Sequence, residues 1–111
     1  MEVSFASGKL QKLCNSAAKL RGKYGPRMAE LIQQRLVELS DAETLQEMRT
    51  VVGAGCHELT QNLQGLLAVN LVHPDRLVFK PTDGPPPSKP DGGLDWAQVS
   101  AIEVVGIGDY H

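Results

Sequence analysis

A chain of 111 residues makes one domain with a single modest core, and it holds no run of about eighteen apolar residues that could span a bilayer. With 41% apolar and 22% charged residues it has the composition of an ordinary globular protein, and a formal net charge of −2 argues against a strongly basic nucleic-acid binder. The charges are segregated, however: up to position 35 the basic residues are Lys9, Lys12, Lys19, Arg21, Lys23, Arg27 and Arg35 against Glu2 and Glu30, and the rest of the chain is acidic, so one element still offers a polyanion a docking surface.

The N-terminal stretch MEVSFASGKLQK alternates apolar with polar residues and carries an acid at position 2. It lacks the basic and apolar regions of a secretory signal, which gives a cytoplasmic expectation. In that compartment Cys14 and Cys56 are expected as reduced thiols rather than a disulfide.

Residues 2–5, EVSF, alternate with Val3 and Phe5 on one side, as a short strand does. One helix is expected next. Ser7 caps it, and Leu10, Leu13, Cys14, Ala17, Ala18 and Leu20 recur at helical spacing beneath the basic residues. KYGP ends it, with Gly25 past the end and Pro26 suited to the first turn of a second helix. There Met28, Leu31, Ile32, Arg35, Leu36 and Leu39 share one face, with Arg35 expected to snorkel from its edge. Ser40 or Asp41 then caps a short third helix that turns Leu45 and Met48 inward.

From position 50 the runs VVGAGCHEL, GLLAVNLV, DRLVFK and VSAIEVVGIG are β-branched or apolar and divided by Gly, Pro, Asn and Asp, which reads as four strands. Hairpins at TQNLQG and VHPD would make an antiparallel meander with the helices on one face, an α+β domain. The proline- and glycine-rich segment at about 81–96 cannot continue a central strand and is expected as a loop, anchored at its far end by Trp96.

No phosphate loop, GxSxG elbow, HExxH pair or paired CxxC is present, so any chemistry is assembled from separate strands. Cys14, Cys56, His57, His73 and His111 lack ligand spacing, and no metal or other cofactor is expected. His57 reads either as a hydrogen-bonded strand histidine or as a site residue. His73 and Pro74 read as turn residues, with Asp75 holding the turn. Arg76 enters LVF from that turn, at a strand end where a guanidinium can grip a phosphate bidentately or pair with an acidic neighbour. Tyr110 and His111 follow the last strand, and period-two alternation sends them to opposite faces.

The pattern CHEL, VNLVHPDRLVFKP, DGGLDW and EVVGIGDYH, preceded by two helices, resembles the RelE-fold toxins of bacterial toxin–antitoxin modules, in the HigB or plasmid-maintenance killer-protein branch. Its most specific parts are LVHPDRL and DYH, and it spans nearly the whole chain. The resemblance implies short N-terminal strand and helices on a mainly antiparallel sheet of four to five strands. It also implies a helix-turn-helix antitoxin partner, contact with operator DNA only through that antitoxin, no membrane association, and metal-independent cleavage of messenger RNA on the ribosome. By the resemblance Arg76 binds the scissile phosphate, His57 is a strand histidine of the site, and Tyr110 and His111 are the family's terminal pair, His111 serving as acid or base. Lys9, Lys12, Lys19, Arg21, Lys23 and Arg27 would then meet ribosomal RNA.

The chain departs from the family after His57. Members commonly read H-x-L-K-G-D-R-x-G followed by an aromatic residue and a serine, whereas HELTQNLQGLLA puts Thr60 at the lysine, Leu63 at the arginine and Leu67 at the aromatic. A charge-assisted hydrogen bond contributes about 1.5–3 kcal/mol, so two lost cations weaken RNA binding. The alternative expectation is therefore a toxin-fold protein with weakened or lost nuclease activity that still binds an antitoxin. A gyrase poison of the ParE type is a third, in which the terminal pair has no evident use.

Overall fold

A computed structural model of the chain describes residues 1–82 and 84–110. The order is β1 (Glu2–Phe5), α1 (Gly8–Cys14), α2 (Ala17–Tyr24), α3 (Pro26–Asp41), a 3-10 turn (Leu45–Thr50), β2 (His57–Glu58), a 3-10 turn (Gln61–Leu63), β3 (Leu67–Asn70), β4 (Arg76–Pro81), a 3-10 turn (Trp96–Gln98) and β5 (Ala101–Gly108). This is an α+β domain on one five-stranded mixed sheet of order β1-β5-β4-β3-β2. The two expected hairpins are present as antiparallel pairings of β2 with β3 and of β3 with β4, and β5 runs antiparallel to β4. β1 adds to β5 in parallel, with Val3 opposite Ile102.

The expected first helix is two. Asn15 ends α1, and Ser16 starts α2 by accepting a hydrogen bond from the Lys19 amide at 3.2 Å. Side chains of this kind compete for backbone partners in a helix interior, so two adjacent ones favour a cap and restart over a continuous run. Gly25 and Pro26 take the places expected of them: Gly25 closes α2 at φ +84°, and Pro26 lies in the first turn of α3.

The third helix also begins later than expected. Asp41 still belongs to α3, Thr44 precedes the 3-10 turn, and Leu45 and Met48 are fully buried as their spacing required. β2 is only two residues long, and Cys56 lies before it rather than within it. Glycines at φ +84° (Gly53) and +53° (Gly55) hold the approach to β2 in a turn that a strand could not accommodate.

The helices cover one face of the sheet. Leu20, Met28, Ile32 and Leu39 meet Leu67, Val69, Leu77, Phe79, Ile102 and Val104 in the main core. Burying each of the larger side chains contributes about 1.5–3 kcal/mol. Arg35 does not snorkel. It is 5% exposed, and its Nε donates to Asn70 O, its Nη2 to Gly53 O and its Nη1 to Glu38 Oε1, each at 2.8 Å. The carbonyls of an irregular turn and of a strand end need donors, and a planar guanidinium reaching from α3 supplies them in fixed geometry.

The long segment after β4 is tied at its far end, as expected. Trp96 is buried, donates Nε1–H to Glu58 Oε2 at 3.0 Å, and carries the Arg49 guanidinium 3.8 Å from its ring centroid. Its middle is a miniature hairpin, with Ser88 bridged to Leu94 and the Lys89 amide bonded to Gly93 O at 2.7 Å. No helix among the described residues is long and apolar enough to cross a membrane.

Candidate functional site

The opposite face of the sheet carries a smaller cluster of Leu59, Ala68 and Val78, flanked by Leu63, Leu66, Val105 and Tyr110. Strand alternation assigns the candidate residues to this outer face. His57 is two positions from Leu59 and lies opposite Ala68, while Arg76 is two positions from Val78 and lies opposite Asn70 and Gly108. An open cleft of about 260 Å³ is lined there by His57, Thr60, Leu63, Arg76 and Tyr110, together with Glu58, Leu59, Gln61 and Asn62. Three of the four expected catalytic residues thus come together from β2, β4 and the segment after β5. His111 lies outside the described residues.

Two of the three are bonded to backbone carbonyls, and the third lies close over a strand. Arg76 Nη1 donates to the carbonyl oxygen of Tyr110 at 3.0 Å. Using one edge of the fork leaves the remaining N–H donors of a group that carries five. His57 Nδ1 lies 2.8 Å from Gly55 O. A carbonyl oxygen only accepts, so this bond requires the proton on Nδ1, and in the neutral ring it leaves the lone pair on Nε2. Tyr110 turns back over β5, where its ring edge would lie 3.7 Å from a Cβ on Gly108 and its hydroxyl would collide with one on Gly106. The glycines at 106 and 108 therefore form the bed on which the ring rests.

That bed was missed from the sequence. The signal was present: two glycines spaced by two within a strand mark a close approach on one face. Thr60 and Leu63 line the cleft, so two positions singled out in the sequence fall inside the candidate site. Among the described residues Arg76 is the one cation lining it, against Glu58.

The six helical cations do not join the cleft. Lys9, Lys12, Lys19, Arg21, Lys23 and Arg27 are exposed on α1, α2 and α3, which pack on the other face of the sheet. One connection exists: burial pushes the Tyr24 phenol up, with smaller contributions from Cys14, Asp75 and Tyr110. Arg21 and Lys23 occupy the last turn of α2. Lys23 Nζ itself lies 5.6 Å from the Tyr24 ring centroid.

His73 precedes the cis Pro74 in the β3–β4 turn, where Asp75 N bonds Val72 O at 2.8 Å, and among the described residues it does not line the cleft that holds His57. Cys14 and Cys56 are free thiols. Burial raises the first to about 11 and the second to about 12, the latter against a smaller lowering by Arg49. Both are therefore protonated and weakly nucleophilic near neutral pH.

No protein-family model, curated protein or solved structure matches this chain.

Proposed function

We propose that this protein is the toxin of a type II toxin–antitoxin module, of RelE fold and HigB type, that inhibits translation by cleaving messenger RNA on the ribosome. The observation that carries the reading is the cleft in which Arg76, His57 and Tyr110 converge from three separate segments. Their types suit a phosphodiester cleavage by the neighbouring ribose.

In that reaction the 2′-oxygen bonds to phosphorus while the bond from phosphorus to the 5′-oxygen breaks. The products are a 2′,3′-cyclic phosphate and a 5′-hydroxyl, with no change of oxidation state. Negative charge grows on the phosphoryl oxygens, and the fixed guanidinium of Arg76 is the group that stabilises it. His57, with its proton held on Nδ1, offers Nε2 to take the proton from the 2′-hydroxyl. His111 is the family's candidate to protonate the leaving oxygen. The helical cations supply a second, sequence-independent attraction for ribosomal RNA. The partner of the module is a helix-turn-helix antitoxin, through which alone operator DNA is contacted, and the proposed location is the cytoplasm.

A second reading is favoured by one observation: uncharged Thr60 and Leu63 line the cleft at positions where the resembled family carries cations. Among the described residues Arg76 is the one cation lining the cleft, which suits a toxin-fold protein with reduced nuclease activity that retains antitoxin binding. Inducing the protein without a partner separates the two. Growth arrest with fragmented messages supports the active toxin. Normal growth of cells that accumulate folded protein rejects it in favour of the second reading.

A further inference from the structure

The contacts of Arg35 lead from the core to the cleft. Its Nη2 holds Gly53 O and its Nε holds Asn70 O, both at 2.8 Å. Asn70 N in turn donates to Ala54 O at 2.7 Å, so the turn before β2 and the end of β3 are tied to one buried guanidinium. The next carbonyl along that turn, Gly55 O, is the one that bonds His57 Nδ1 at 2.8 Å. Asn70 is also the cross-strand partner of Arg76. The turn is tightly fitted as well as bonded: Gly55 has φ +53°, and a Cβ there would collide with the Asn70 side-chain amide.

We propose that Arg35 is a positioning residue for the cleft: by fixing Gly53–Gly55 it aims the Gly55 carbonyl at His57 and holds that imidazole as the Nδ1–H tautomer with Nε2 toward the site. This rests on the reading of His57 as the proton acceptor for its catalytic meaning, but the tautomer itself is a property of the protein without RNA. The physical basis is that an unanchored surface turn would leave the ring to choose its tautomer against water. A turn fixed at Gly53 and Asn70 by a buried cation presents the Gly55 carbonyl in one place and removes that choice.

The test is 15N NMR of the His57 ring nitrogens in the full-length protein above the pH of ring protonation. Wild type is expected to give the signature of protonated Nδ1 and bare Nε2. Arg35→Lys, which keeps the charge but cannot fork to two carbonyls, is expected to move the ring toward a tautomer mixture, with the Nδ1–H form reduced severalfold. An Nε2–H signature in wild type overturns the proposal, as does a folded Arg35→Lys protein whose ring signals are unchanged. If Arg35→Lys does not fold, Gly55→Ala disturbs the same route with Arg35 intact, and unchanged signals there overturn it equally. RNA cleavage by the wild type is scored separately, so failure of the nuclease reading and failure of the Arg35 route are distinct results.

Discussion

Arg76 and Tyr110 are joined by one hydrogen bond, from Nη1 of the first to the main-chain oxygen of the second at 3.0 Å, across a sequence separation of 34 residues. The cation that would meet phosphate is therefore aimed by the segment after the last strand. Tyr110, in that segment, also lines the cleft.

If Arg76 stabilises developing charge, Arg76→Ala should lower RNA cleavage by about a hundred- to a thousandfold, the loss typical for one preorganised donor. Arg76→Lys should recover only a small part, because an ammonium keeps the charge but not the fork that serves Tyr110 O and a phosphate together. Thermal unfolding should change little in either variant, since Arg76 is only half-buried. Cleavage assays with a melting curve on each variant check this.

Gly106→Ala should displace Tyr110 by direct contact. The added methyl meets the phenol oxygen, so the ring must leave its bed over β5. The backbone at Gly106 does not have a positive φ, so alanine strains nothing else. Activity should fall at least as far as in Tyr110→Ala, while the unfolding midpoint moves by only a few degrees. A crystal structure of the variant would locate the displaced ring.

Cations introduced at Thr60 and Leu63 should strengthen the site. Thr60→Lys and Leu63→Arg each place a positive charge on the cleft wall. Each new charge-assisted bond is worth about 1.5–3 kcal/mol, and the slope of log affinity against log salt should steepen by about one per added phosphate contact. Titrations of single-stranded RNA at several salt concentrations measure both. Unchanged affinity would mean that those positions do not face the substrate.

The thiols give a pH-dependent prediction. Folding raises Cys14 to about 11 and Cys56 to about 12 from an ordinary 9.0. Between the unfolded and folded values the native state binds more protons, so this contribution to stability is fully present below about pH 9 and is lost as pH rises toward 12. Alkylation of the native protein at pH 7–8 should be slow at both cysteines and become fast on unfolding. A Cys14→Ala, Cys56→Ala protein should lose less stability than wild type between pH 9 and pH 11, as read by chemical denaturation.

Much of the fold was legible because its signals are local. Gly25-Pro26 marks a helix junction by backbone geometry alone, and the spacing of Met28, Ile32 and Leu39 fixes the buried face of α3. The apolar runs LAVN and RLVFK mark β3 and β4 as central strands, whereas only the family resemblance, and not alternation, brought His57 and Arg76 together in the sequence. What escaped is tertiary. Arg35 has the same spacing whether it snorkels or is buried, and only the distant carbonyls of Gly53 and Asn70 decide. The break at Asn15-Ser16 was hidden because apolar residues continue at helical spacing across it. That the six helical cations and the cleft occupy opposite faces of one sheet could not be seen from charge order along the chain.

The most direct test of the central claim is to map the ends of messenger RNA after incubating translating ribosomes with purified wild-type protein and, in parallel, with Arg76→Ala. Wild type is expected to produce new 5′-hydroxyl ends paired with 2′,3′-cyclic phosphates, and the variant to produce almost none. Folded wild-type protein that produces no such ends, or an Arg76→Ala protein that produces them equally well, would contradict it.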